Sequence, residues 1–148
     1  MKTKQKPTGY RHQALEDRRL MAVDVTVSGG DLVITGDGAA DHIEIYRVSA
    51  NHATSQQVRI SPIAGSGTTI NGHAYAQQFA LSDDIWLDLG GGDNTVTVKN
   101  NNGGIHDDYV RLRTGSGDDR IDVSGLNTTS DLLIETRAGD DQVAVTNS

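Results

Sequence analysis

The chain has 148 residues and no cysteine, which limits it to one domain with a modest core and excludes disulfides and thiolate metal sites. The formal net charge is −7, but residues 1–20 hold six basic and two acidic side chains, so residues 21–148 carry −11. An acidic body excludes nucleic acid as the expected partner, and seventeen glycines with few aromatic residues favour an all-β protein without a membrane span.

The first predicted segment, residues 1–21, is basic. Residues 1–8 are polar and expected to be flexible, whereas residues 10–21 can form a short helix with Leu15 and Leu20 on one side. The first thirty residues contain no apolar stretch of the kind found in a standard signal peptide.

One short motif lies at the end of this segment. The sequence LEDRRLMA, from Leu15 to Ala22, resembles the LEPR-XLL type motif near the start of planctomycete extracellular proteins, with Met21 at the last leucine position. The resemblance implies an export-type segment and an extracellular or cell-surface location. The alternative interpretation is an ordinary charged helical turn.

Residues 22–148 are predicted to form one β domain. In its first part, apolar residues alternate with polar ones on both sides of a turn that contains Gly36, Gly38 and Asp41. This alternation is typical of strands with one buried face. Residues 46–82 follow the pattern poorly, and Asn71-Gly72 between short apolar stretches indicates a two-residue hairpin. We expect a β-meander insertion near residues 46–82.

The C-terminal half contains a glycine-acid turn three times, in IWLDLGGGDNTVTV, YVRLRTGSGDDRIDV and LLIETRAGDDQVAV. Aligned on Gly92, Gly117 and Gly139, the copies share apolar residues seven and five positions before the glycine and four and six after it. Residues 31–45 fit the same register with Ala39 at the anchor position. Repeats of strand, acidic turn and strand predict a right-handed parallel β-solenoid, or β-helix, of about four to five coils.

The acids of the turns share this register. Each anchor glycine is followed by an aspartate and then by a second acid or amide: Asp93 and Asn94, Asp118 and Asp119, Asp140 and Asp141. Stacked at strand spacing of about 4.8 Å, neighbouring carboxylates repel by about 1 kcal/mol in water and more where desolvated. Carboxylates and turn carbonyls are ligands that calcium prefers, so these six residues are the predicted metal site. Solvated acids in ordinary turns are the alternative.

The segment GSGDDRIDV, residues 115–123, resembles the glycine- and aspartate-rich nonapeptide of haemolysin-type (RTX) calcium-binding proteins. The resemblance implies calcium held between successive turns, with Asp119 and Asp141 as ligands and Asn94 in the same slot. The chain departs from the family pattern at Asn94, at Arg137 in place of the first glycine, and in its spacings of 25 and 22 residues.

Two other groups carry weaker hypotheses. Aspartates precede several predicted strands, where they are expected to accept backbone hydrogen bonds, and a metal or catalytic role is the alternative. They are Asp31, Asp83, Asp84, Asp107, Asp108 and Asp131. Outward positions at Trp86, Asp88, Arg111 and Arg113 can form a glycan-binding face.

The sequence therefore favours an extracellular calcium-binding structural or adhesive module that is not an enzyme. The alternative is a metal-free surface or glycan-binding module, and a polysaccharide lyase or hydrolase is a distant third. The expected partners besides calcium are a cell-surface or matrix protein or a glycan. The sequence stops directly after a strand without a polar cap, and two interpretations are open: another chain covers this end, as in end-to-end self-association, or the sequence is a piece of a longer array.

Overall fold

The computed structural model describes residues 22–49, 56–99, 109–126 and 131–146, and within these ranges every regular element is a β-strand. The all-β prediction is therefore confirmed. The helix expected at residues 10–21 and the motif from Leu15 to Ala22 fall almost wholly outside the described residues. In chain order the strands are β1 (Ala22–Ser28), β2 (Asp31–Gly36), β3 (His42–Ser49), β4 (Gln56–Pro62), β5 (Thr69–Ile70), β6 (Gln77–Leu81), β7 (Ile85–Asp88), β8 (Thr95–Lys99), β9 (Tyr109–Arg113), β10 (Arg120–Ser124), β11 (Asp131–Glu135) and β12 (Gln142–Thr146).

The strands form two six-stranded sheets. The first sheet has the order β11-β9-β7-β2-β1-β5, and the second has the order β12-β10-β8-β3-β4-β6. From β7 onward, each strand lies in the sheet opposite to that of the strand before it. The connections β2–β3, β7–β8, β9–β10 and β11–β12 therefore all cross between the sheets at one end of the strands, and they contain the acidic turns.

The register predicted from the repeat is confirmed by the strand pairs. In the first sheet Ile85 pairs with Leu32 and with Val110, and in the second sheet Val96 pairs with Ile43 and with Ile121, all in parallel. These side chains point between the sheets and are at most 1% exposed. Burying each of these aliphatic side chains stabilises the fold by about 1.5–3 kcal/mol, which fixes the register, because a one-residue slip would expose the whole set.

Two tight turns reverse the chain. Gly29 and Gly30, both at positive φ, join β1 to β2 as an antiparallel pair. The predicted hairpin at Asn71-Gly72 is confirmed: both residues have positive φ, and Ile70 and His73 exchange two backbone hydrogen bonds of 2.8 and 2.9 Å. Such turns match the twist of antiparallel strands, and residues with little penalty at positive φ are needed to form them.

The predicted right-handed parallel β-solenoid of four to five coils is wrong. Both sheets are mixed: β1 and β2 pair antiparallel in the first sheet, and β3, β4 and β6 pair antiparallel in the second. Neither sheet closes or curls. The segment predicted as a meander insertion, residues 46–82, is antiparallel but is not an insertion, because β4 and β6 extend the second sheet directly from β3. The reason is that β1–β2 and β3–β4 are antiparallel pairs of consecutive strands, so the chain returns beside its previous strand there instead of crossing to the other sheet.

Candidate functional site

The acidic turns stack at one end of the two sheets with their backbones in contact. A Cβ on Gly92 would lie 2.5 Å from the carbonyl carbon of Ala39, and a Cβ on Gly117 would lie 2.5 Å from the carbonyl carbon of Gly92. Both glycines also have positive φ, of 86° and 131°. Glycine is therefore required at these positions for the turns to approach as closely as the paired strands do.

The first acid of each turn belongs to a solvent-exposed row. Asp93, Asp118 and Asp140 are exposed, and each later residue donates its backbone N–H to the carboxylate of the earlier one. The Asp118 amide lies 3.0 Å from Asp93 Oδ1, and the Asp140 amide lies 2.9 Å from Asp118 Oδ1. These carboxylates therefore bridge successive turns while remaining hydrated.

The second position of each turn forms a buried row in which the hydrogen bonds run the other way. The backbone N–H of Asp41 donates to Asn94 Oδ1 at 2.9 Å, that of Asn94 to Asp119 Oδ1 at 2.9 Å, and that of Asp119 to Asp141 Oδ1 at 3.0 Å. Asp41, Asn94 and Asp119 are at most 1% exposed. The structure thus brings all six predicted site residues together and arranges them as two ladders of opposite polarity.

The carboxamide nitrogen of Asn94 lies in a cage of four oxygen atoms, three from backbone carbonyls and one from a carboxylate. Asn94 Nδ2 lies 2.8 Å from the carbonyl oxygen of Gly92, 3.3 Å from that of Gly91 and 3.4 Å from that of Gly90. It also lies 3.1 Å from Asp119 Oδ1 in the next turn. An N–H₂ group has two hydrogens, which it shares among these four acceptors.

Asp119 repeats the position of Asn94 with a carboxylate in place of the carboxamide. Its Oδ1 accepts the N–H of the preceding turn, as Asn94 Oδ1 does, so its Oδ2 corresponds to Asn94 Nδ2. Asp119 Oδ2 is buried and has no hydrogen-bond partner among the described residues. A buried carboxylate oxygen without a donor costs free energy, so this position favours a positive or protonated partner.

Asp41 extends the buried row beyond the predicted set. Its side chain is fully buried, and neither carboxylate oxygen has a hydrogen-bond partner of ordinary geometry among the described residues, although the Asp37 backbone N–H lies close enough to lower the pKa of the group. Burial, followed by the nearby charge of Asp37, raises the pKa of Asp41 to about 7. The repeat register could have identified this residue, because Asp41 lies two positions after Ala39, as Asp119 does after Gly117.

The second acidic row gathers in part at the opposite end of the strands. Carboxylate oxygens of Asp31, Asp83 and Asp84 lie within 4.8 Å of one another. The backbone N–H of Asp84 donates to Asp31 Oδ1 at 3.3 Å, as expected for a loop aspartate. Asp131 is exposed at the start of β11, and Asp107 and Asp108 lie outside the described residues.

The outer face of the first sheet carries an aromatic cluster. The rings of Trp86 and Tyr109 have centroids 5.4 Å apart, and the Arg111 guanidinium lies 5.9 Å from the Trp86 ring centre. Arg111 also forms an ion pair with Glu135, and Arg113 pairs with Asp88 at 3.2 Å. A cavity of about 140 Å³ lies over this face, lined by Val33, Thr35, Trp86, Asp88, Arg111 and Arg113, together with Ile34 and Leu87.

Comparisons of the chain with models of protein families, with curated proteins and with solved structures find no match. The described part of the chain has no helix with the length and hydrophobicity needed to cross a membrane.

Proposed function

We propose that this protein is an extracellular calcium-binding structural module in which calcium binds between the stacked acidic turns and stabilises them. One observation carries the proposal: the buried Asp119 Oδ2 has no hydrogen-bond donor. In the turn before it, the equivalent atom is an amide nitrogen surrounded by carbonyl oxygens. A carboxylate at that position needs a cation where its neighbour has its own N–H₂ group.

The chemistry of the site favours calcium over other cations. The candidate ligands are carboxylate and backbone carbonyl oxygens, and the chain contains no cysteine thiolate. Calcium accepts six to eight such oxygens in flexible geometry, whereas magnesium requires near-ideal octahedral geometry and retains its water. Asp119 supplies the unpartnered oxygen, and Asp141 in the next turn accepts the Asp119 N–H at 3.0 Å, so the two candidate carboxylates lie in adjacent turns. The exposed row of the same turns, Asp93, Asp118 and Asp140, adds further negative charge.

The role of calcium in this proposal is to stabilise the fold rather than to take part in catalysis. An ion that binds only the folded chain adds RT ln(1 + [Ca²⁺]/Kd) to the free energy of unfolding, about 2.7 kcal/mol at one hundred times Kd. Extracellular modules bind calcium with Kd of about 0.1–1 mM, so bound calcium would stabilise the module outside the cell. The resemblance of residues 15–22 to an export-type motif supports the same location.

The test is thermal unfolding of the full chain, followed by circular dichroism, in EDTA and then with calcium raised beyond about 1 mM. We expect the melting temperature of the wild type to rise with calcium. The D119N variant should show a smaller rise, because its carboxamide can donate to the carbonyl oxygens of its own turn, as that of Asn94 does. D24N is the matched control, since Asp24 is an exposed aspartate on β1, opposite Thr35 and outside the Gly-Asp turns at residues 90–94, 115–119 and 137–141.

Calorimetric titration at fixed temperature provides the second readout. Heat of binding in the wild type and in D24N, with reduced stoichiometry in D119N, supports the proposal. A wild type with no heat of binding and an unchanged melting temperature throughout the titration would show that the turns are stabilised by hydrogen bonds alone.

A second candidate function is glycan binding on the face around Trp86. The observation that favours it is the 140 Å³ cavity, where the Trp86 ring lies beside Arg111 and the Arg113–Asp88 pair, which can donate and accept hydrogen bonds. Trp86 is the single tryptophan of the chain, so its fluorescence reports on this face directly. Screening of W86A and wild type on a glycan array tests the candidate, and equal binding by both would contradict it.

Self-association is the partner interaction that we propose alongside calcium. The inward-facing valines of β12, Val143 and Val145, are 48% and 49% exposed, whereas the equivalent residues of β10 are at most 2% exposed. β11 and β12 each have a strand neighbour on one side in the described structure. Unpaired edges with uncovered apolar residues favour pairing with another strand. A cell-surface or matrix protein, or a glycan, remains the alternative partner.

A further inference from the structure

We infer that Asn94 is a built-in substitute for a cation, so that the turn at residues 90–94 takes no calcium and the Asp119 turn does. The inference deepens the proposed function and rests on it for the identity of the ion. It predicts that exchanging one amide for one carboxylate at this position creates a cation site.

The first argument is the position of the Asn94 carboxamide. Its nitrogen contacts three carbonyl oxygens of its own turn and one carboxylate oxygen of the next, at 2.8–3.4 Å. This mixture of backbone carbonyls and one carboxylate is the ligand set that calcium accepts in proteins. The partial positive charge of the N–H₂ group therefore lies where the full charge of an ion would otherwise be favoured.

The second argument is the difference between equivalent atoms in the column. Asn94 has a donor at the position where Asp119 has the unpartnered Oδ2. Asp41, on the other side of Asn94, is also buried with unpartnered oxygens. The neutral residue thus lies between two buried carboxylates and separates their charges.

The third argument is electrostatic. With aspartate at position 94, three buried carboxylates would stack in adjacent turns, because Asp41 and Asp119 are both linked to residue 94 by hydrogen bonds. Like charges at strand spacing repel, and burial increases the repulsion. A divalent cation among these oxygen atoms would remove the repulsion in N94D. In the wild type the same cation would face the partial positive charge of the Asn94 N–H₂ group, which disfavours binding.

The experiment compares wild type, N94D, N94A and D119N as full chains by calcium titration, with bound ions counted by native mass spectrometry. We expect N94D to bind one more calcium than wild type, and to melt below wild type in EDTA but to recover when calcium is added. N94A removes the donor without adding charge, so it should be destabilised in EDTA and should recover no more than wild type does. D119N should bind one calcium fewer than wild type.

The outcomes separate this inference from the proposed function. Wild type without bound calcium would refute the proposed function, yet a calcium gained by N94D would still establish the cage. Equal counts in N94D and wild type would overturn the inference even if wild type binds calcium. An N94D chain that stays unfolded in both EDTA and calcium would also overturn it, because the ion would then have failed to replace the amide.

Discussion

Asp119 Oδ1 accepts two hydrogen bonds from Asn94, one from the backbone N–H at 2.9 Å and one from Nδ2 at 3.1 Å. The two residues are 25 positions apart in the chain and occupy the same place in successive turns. The carboxamide also donates into its own turn, whereas the second oxygen of Asp119 has no donor. The two turns therefore differ in one atom. Asn94 has a nitrogen that makes hydrogen bonds where Asp119 has an oxygen that makes none.

We expect D119N to raise the free energy of unfolding in EDTA by about 1–3 kcal/mol, because it gives a buried, unpartnered oxygen position the donor that it lacks. Urea denaturation at neutral pH measures this change. D24N should differ from wild type by less than about 0.5 kcal/mol, since Asp24 is exposed. A D119N variant less stable than wild type in EDTA would contradict the assignment of the missing donor.

Asp41 should make stability depend on pH. The pKa of Asp41 is about 7 in the folded protein against an ordinary value of 3.8, so between these values the folded chain binds a proton that the unfolded chain does not. The stabilising contribution of Asp41 to the free energy of unfolding is therefore greatest at low pH and is lost as pH rises towards about 7. The total loss is at most about 4 kcal/mol.

The measurement for Asp41 is the free energy of unfolding of wild type and D41N in EDTA at about pH 5 and about pH 8. Wild type should lose stability relative to D41N at the higher pH, because the asparagine does not titrate. Histidines contribute equally to both proteins and cancel in the difference. A difference between the two proteins that is the same at both pH values would show that Asp41 does not titrate in this range.

Gly117 should not tolerate a side chain. Gly117 has a φ of 131°, and a Cβ there would contact the Gly92 carbonyl group. We therefore expect G117A to lower the free energy of unfolding by about 2–4 kcal/mol, through backbone strain and overpacking together. G91A is the matched control, because a Cβ there would meet the Ser116 hydroxyl first, at 3.3 Å. Chemical denaturation should place G117A well below G91A, and equal stabilities would refute the close stacking of the turns.

Thr114 is expected to be better replaced by valine. Its hydroxyl is fully buried and has no hydrogen-bond partner among the described residues, and the equivalent residue in the preceding repeat is the buried Leu89. T114V keeps the shape and removes the unpaired group, so the free energy of unfolding should rise by about 1 kcal/mol. T97V, at a half-buried position on β8, should change it by less than about 0.5 kcal/mol. Loss of stability in T114V would reveal a partner for the hydroxyl.

The exposed edge valines should control self-association. The double variant V143K/V145K places charges on the uncovered strand β12 and is expected to remain monomeric at concentrations where wild type associates. Light scattering coupled to size-exclusion chromatography over a concentration series measures this. V27K is the control, because Val27 is a similarly exposed valine, at 43%, on β1, which belongs to the first sheet and not to that of β12. A wild type that stays monomeric at every concentration would exclude the edge as an interface.

Much of the local structure could be predicted from periodicity. The alternation at Leu32, Ile85, Val110 and their equivalents identified the buried faces, and the common register placed Asp93 with Asp118 and Asn94 with Asp119. Such patterns report which face of a strand is buried and how far apart repeated residues lie. They do not report the direction of pairing or the sheet that a strand joins, and so the antiparallel pairing of β1 with β2, and the place of β4 and β6 in the second sheet beside β3, were missed.

The sequence by itself determined the all-β class, the register of the repeats and the meeting of the acids at one end of the strands, because side-chain alternation is a local property of strands. Only the tertiary structure decided the mixed sheets and the polarity of the two side-chain ladders. Both depend on contacts between residues that are tens of positions apart, as between Asn94 and Asp119. The partner of a buried donor or acceptor is set by the neighbouring strand, which the local sequence does not specify.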